Sequence, residues 1–143
     1  MKSSWLRLHV VVVALLMSPA LVSQSSRDIS ADEKHLDEVR QMIAGREEAR
    51  AEEVFKNIEL LHGKKASRLP GMMKALTGLL GVGCDYCHVT GHWELEEKDA
   101  KVTARKHFAM QSTLNDQYFN GENKISCWTC HHGKPKAELT PDQ

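Results

Sequence analysis

The four cysteines of the chain fall in two identical frames, Cys84-Asp85-Tyr86-Cys87-His88 and Cys127-Trp128-Thr129-Cys130-His131. Two cysteines three apart on a tight helical turn project to one side. There they face the two vinyl groups of one porphyrin, and each forms a thioether. The histidine that follows then lies under the iron, for which a neutral imidazole nitrogen is a good ligand. C-x-x-C-H is the attachment signature of c-type haem. Two copies that use every cysteine predict two covalently bound haem c groups. Cys84, Cys87, Cys127 and Cys130 are the expected attachment points, and His88 and His131 the proximal iron ligands. Other uses of paired cysteines fit less well. A zinc site can take two such pairs, but the gap from Cys87 to Cys127 is long. A thioredoxin-like pair needs one C-x-x-C in a βαβ setting, and no such setting is visible. Structural disulfides would leave both histidines unexplained.

The N-terminus supports haem attachment, which takes place outside the cytoplasm. Met1 to His9 is a short basic lead, Val10 to Met17 an apolar run, and Ser18-Pro19-Ala20 closes it ahead of a serine-rich stretch. This is the order of a secretory signal. The apolar run is shorter than the roughly 20 residues that span a bilayer. Residues 1–23 are therefore expected to be a cleaved signal that sends the chain to the periplasm. No cysteine near the cleavage point offers a lipid anchor. Loss of Lys2 and Arg7 leaves 17 basic residues against 19 acidic ones. That balance gives no basic face of the kind nucleic acid requires. Seven aromatic residues remain beyond residue 23. So short and polar a chain builds a thin core, which a bulky apolar cofactor would complete.

The rest of the pattern reads as all-α, with helices packed around two haems. Residues 24–50 form a linker and a first helix, 51–137 the dihaem domain and 138–143 a tail. Ser30-Ala31-Asp32-Glu33 has the form of a capping box. Leu36, Val39, Met42 and Ile43 then recur at helical spacing, which predicts a helix from about Ala31 to Ala44, ended at Gly45. The charged run from Arg46 to Glu53 is expected to continue as solvated helix. Val54, Phe55, Ile58, Leu60 and Leu61 form a further apolar group. Ser67-Arg68-Leu69-Pro70 opens a third segment, apolar at Met72, Met73, Leu76, Leu79 and Leu80 and closed by Gly81 and Gly83. A long helix follows from about Asp99 to Gln117, then a turn at Asn120-Gly121.

Each iron needs a sixth ligand, usually a methionine thioether or a histidine. Met42, Met72, Met73 and Met110 are the methionines beyond the signal. Met73 lies eleven residues before Cys84, on the helix leading into the first motif, and Met110 lies on the helix before the second. Met73 and Met110 are the expected distal ligands. Met72 and His107 are their alternatives, His107 sharing a helix face with Met110. His35 and His62 read as surface residues, and His132 as pointing to solvent or to a haem propionate. His92 and Trp93 are candidates to pack on a haem edge, and Arg68, Lys74, Arg105 and Lys106 to pair with haem propionates.

These residues resemble a known family, the cytochrome c subunit of photosynthetic reaction centres and its smaller relatives. The resemblance runs from about Ala51 to Lys136. It rests on Glu53-Val54-Phe55-Lys56-Asn57-Ile58, on Met73 ahead of Gly81-Val82-Gly83-Cys84-Asp85-Tyr86-Cys87-His88-Val89, and on Thr103-Ala104-Arg105-Lys106 followed by Met110. It ends with Cys127-Trp128-Thr129-Cys130-His131-His132-Gly133. The resemblance implies that each haem sits against a helix supplying the distal methionine, pairing Met73 with His88 and Met110 with His131. It also implies electron transfer to an oxidised partner in the periplasm. The reaction-centre subunit usually carries four haems, whereas this chain has two motifs, and relatives often have methionine where His107 stands. The expected function is a non-enzymatic dihaem electron carrier. It would dock transiently with redox partner proteins, a membrane redox complex among them. The rivals are a peroxidase-like haem enzyme or gas sensor with one open iron, and a haem subunit of a larger complex.

Overall fold

The computed structural model describes residues 29–138, so the expected signal, residues 1–23, lies outside the described residues. The helices are α1 (Ile29–Met42), α2 (Ala51–Val54), α3 (Leu69–Leu80), α4 (Cys84–Cys87), α5 (Asp99–Tyr118) and α6 (Cys127–His131). A 3-10 turn, Ala66–Arg68, leads into α3. Among the described residues no strand forms; there are two isolated bridge pairs, Arg50 with Lys65 and Val89 with His92. The fold is all-α, as the sequence predicts.

Two local expectations are corrected. Ser30 lies inside α1 rather than ahead of it, so the expected capping box does not start this helix. Glu33 pairs instead with Lys74 of α3, a tertiary partner in place of a local one. Nor does the charged run continue as helix. The chain turns at Gly45, whose φ is 75°, and only Ala51–Val54 is helical. The backbone there bonds to a distant segment: the Ala51 N–H donates to the Lys64 carbonyl at 2.7 Å, and the Ala66 N–H to the Ala49 carbonyl at 2.8 Å. Those bonds join two loops side by side and replace the local i to i−4 pattern.

α3 begins with Pro70 in its first turn, where a missing N–H costs nothing, and ends on Gly81 in the left-handed region at φ 65°. It packs against α1 and α6, while α5 packs against α4 and α6. Gly81 approaches Gly133 so closely that a Cβ on it would lie 2.1 Å from the Gly133 carbonyl oxygen. The chain entering the first C-x-x-C-H thus touches the chain leaving the second. Leu36, Ile43, Ala51, Ala66, Leu69 and Val82 are buried, yet among the described residues no large side chain is wholly enclosed. The helices surround space rather than fill it.

Candidate functional site

The first motif forms the short helix α4, in which the His88 N–H closes onto the Cys84 carbonyl at 3.0 Å. Asp32 of α1 holds its start. This carboxylate is only 6% exposed and accepts the Cys84 N–H at 2.8 Å. It supplies from another helix the acceptor that Gly83, the N-cap residue, lacks.

Cys84, Cys87 and His88 open onto a cavity of about 240 Å³. Its walls are single helix faces at the spacing of an amphipathic stripe. α1 gives His35, Leu36 and Val39; α3 gives Leu69, Met72, Met73, Leu76 and Leu80; α5 gives Lys101, Ala104, Arg105 and Phe108. Phe55 and Ile58 close another side, so the apolar group after α2 serves the cavity. Of the expected distal ligands, Met73 is on this wall, and so is its alternative Met72.

The groups facing the cavity suit a haem. All four cysteines are unbridged, and burial pushes the Cys87 thiol up. His88 Nδ1 is buried without a partner, a condition rare in native proteins. Burial pushes the His88 imidazole below its ordinary value, and Lys101 adds to this. The Trp93 main chain acts the other way without reaching hydrogen-bond geometry. The ring is therefore held neutral, the form that binds a metal. Three thiols, two imidazoles and two thioethers thus meet in an otherwise largely hydrocarbon cavity. Among the described residues no three His, Cys, Asp or Glu side chains gather as a metal cluster.

His35 is corrected from the surface to the cavity wall: its side chain is 20% exposed. It meets Trp93 edge-on at 5.6 Å between ring centroids, and Trp93 in turn meets His88 edge-on at 5.6 Å. His62 and His132 are exposed, as expected, and so is His92, which is not in the wall. The cavity rim is charged. Lys101, buried at 7% exposure, donates to the carbonyls of Trp93 at 2.9 Å and Leu95 at 2.7 Å and pairs with Glu96 at 3.0 Å. Arg105 donates to Glu96, to Glu59 at 2.8 Å and to the Asn57 carbonyl at 3.1 Å. The Arg105 hydrogen bond, with help from Lys101 and Asn57, pulls the Glu96 carboxyl down to about 2. Of the four cations expected near propionates only Arg105 borders the cavity; Arg68, Lys74 and Lys106 are exposed elsewhere.

The second motif forms α6. Ser126 precedes it, its N–H donating to Thr129 Oγ1 at 3.0 Å. Cys127 reaches the wall of the first cavity, and burial pushes its thiol up. Cys130 is exposed. His131 is 7% exposed, with Nδ1 3.0 Å from the Lys134 carbonyl. The His107 ring lies against the His131 ring, centroids 5.6 Å apart, and His107 and Met110 are both exposed to solvent. The loop into α6 hangs on buried Asn115, which accepts the Ile125 N–H at 2.9 Å and donates to the Ile125 carbonyl at 2.8 Å.

Asp32, Lys101 and Asn115 were not legible as site residues. For Lys101 a signal exists: with Ala104, Arg105 and Phe108 it follows the i, i+3, i+4, i+7 pattern of one face, hidden because two of the four are cations. Nothing in the sequence marks Asp32 or Asn115, whose partners lie on other elements.

Helices arranged around a cavity that receives one C-x-x-C-H motif and borders the other define a small c-type cytochrome. Residues 16–140 match the family described as "Photosynthetic reaction centre cytochrome C subunit", and the chain belongs to that family. It is 31% identical over 90 residues to the photosynthetic reaction center cytochrome c subunit of Thermochromatium tepidum, covering 60% of this chain and 22% of that protein. It is 30% identical over 97 residues to the subunit of the same name from Rubrivivax gelatinosus, covering 65% of this chain and 26% of that one. Cytochrome c-554 of Chloroflexus aurantiacus is 29% identical over 85 residues, 55% of this chain and 20% of that protein. The matched region thus spans about a quarter or less of these curated relatives. Membership implies covalently bound haem c. No helix among the described residues is long and apolar enough to cross a membrane.

Proposed function

We propose that this chain is an exported dihaem electron carrier. It works in the periplasm and docks transiently with redox partner proteins, which include a membrane redox complex. The observation that carries this reading is the meeting of Cys84, Cys87, His88 and Met73 at one cavity whose wall also includes Cys127. Cys84 and Cys87 bind the first haem with His88 as proximal ligand and Met73 as distal ligand; Cys130, Cys127 and His131 hold the second. Haem c, when bound, supplies one-electron iron chemistry. The protein's part is to fill the axial positions, to exclude water and to set the charge nearby. Leu36, Leu76 and Phe108 keep the first site dry, and Trp93 covers the proximal imidazole. The shared wall keeps the two sites close enough for electrons to pass between them. Met73 on the same cavity wall as His88 would offer the first iron a second protein ligand, which favours a carrier over a peroxidase-like enzyme or gas sensor. Because α1 walls the cavity, the haem-binding unit runs from about residue 29 to 137.

Intact-mass measurement of the purified protein tests this. The expected mass is that of the chain lacking about residues 1–23 plus two haems. A colourless protein, or pigment extracted by acidified organic solvent, overturns the reading. Rapid carbon monoxide binding by the reduced protein would favour the enzyme or sensor.

A further inference from the structure

We infer that His107, and not Met110, is the distal ligand of the second haem, so that the two sites are unlike: histidine–methionine at the first and bis-histidine at the second. This rests on the dihaem reading above. His107 projects from α5 onto His131 of α6, with ring centroids 5.6 Å apart and planes at 42°. Two imidazoles on opposite sides of one iron, each at a metal–nitrogen bond of about 2 Å, have centroids roughly 6 Å apart. The spacing observed is already close to that. His131 is prepared for such a role. Its Nδ1–H donates to the Lys134 carbonyl at 3.0 Å, which fixes the ring and leaves Nε2 as the free lone pair. Asn115, two turns further along α5, ties down the loop that delivers α6, so His107 and the second motif are held on one support. Met110 is displaced from His107 by about 4.5 Å along the helix, at 1.5 Å per residue; both side chains are exposed, so it is the ring contact with His131 that separates them.

The chemical consequence is directional. A thioether ligand raises a haem potential relative to imidazole. The first site should therefore hold the electron more tightly, and the second should pass it on. The charge-transfer band of oxidised haem in near-infrared magnetic circular dichroism differs in energy between methionine and bis-histidine ligation, and it is read without any partner or activity. The wild-type holoprotein is expected to show one band of each kind. His107→Met should replace the bis-histidine band with a second methionine band and raise one midpoint potential, leaving the other in place. His107→Ala should lose the bis-histidine band and open one haem to carbon monoxide. Met110→Leu should change neither band. The inference is overturned by two methionine bands in the wild type, or by loss of a methionine band in Met110→Leu with His107→Ala unchanged. Intact mass keeps the two levels apart. Two haems with the wrong bands reject the ligand alone, whereas fewer than two reject the dihaem reading as well.

Discussion

Asn115 shows how much one side chain can decide in a chain with so little core. Its amide accepts the N–H groups of Lys124 and Ile125 and donates to the Ile125 carbonyl, while the residue is only 5% exposed. Asn115→Ala removes these bonds and leaves buried backbone groups unpaired, which costs about 2–3 kcal/mol. Chemical denaturation should show that loss, and Asn115→Asp should recover only part of it, since a carboxylate accepts but does not donate. Glu96 acts through pH. Its carboxyl sits at about 2 when folded against an ordinary 4.5. A carboxyl depressed in this way contributes stability while it is ionised in both states, above about pH 4.5. That contribution fades as pH falls toward 2. Glu96→Gln should therefore narrow the gap between denaturation midpoints at pH 6 and pH 3. Because the Glu96 side chain is 40% exposed, added salt should shrink the effect.

At the scale of elements, the contact between α3 and α6 sets how the two attachment turns meet. Gly81 caps α3 with φ 65°, and its Cβ position is taken by the Gly133 carbonyl oxygen at 2.1 Å. Gly81→Ala meets two obstacles: the left-handed conformation costs about 1–2 kcal/mol, and the blocking atom is backbone that must shift. A total loss of about 2–4 kcal/mol is expected, with a lowered midpoint in thermal unfolding. Gly63→Ala is the control. It has a similar φ of 73° but nothing within 4 Å, so it should lose only the conformational part.

The whole molecule depends on what fills its cavity. Among the described residues no large side chain is wholly enclosed, and apolar faces of α1 and α3 line the cavity rather than fill it. Haem attachment should supply much of the missing burial. Replacing Cys84, Cys87, Cys127 and Cys130 by serine should prevent attachment and broaden the thermal transition measured by circular dichroism, with helix content reduced. A haem-free protein that unfolds as sharply and as late as the parent would show that the helices stand without the cofactor.

The helical stretches and the attachment turns were legible because their causes are local. C-x-x-C-H sets two cysteines and a histidine on one tight turn, and apolar spacing marks the core faces of α1 and α3, whereas on α5 two cations in the cavity face hid it. The capping box at Ser30 and the continuation of helix past Gly45 failed where local preference met a distant partner, Lys74 for Glu33 and Lys64 for the Ala51 N–H. Sequence alone carried the covalent haem c that the family implies, the proposal of His88 and His131 as proximal ligands, and the all-α class, since each follows from residues within a few positions of one another. Only the tertiary structure decided that Asp32 holds the first turn, that Asn115 carries the second, that His35 turns inward and that His107 meets His131. Those pairings join residues far apart along the chain, and their positions are set by how the helices pack.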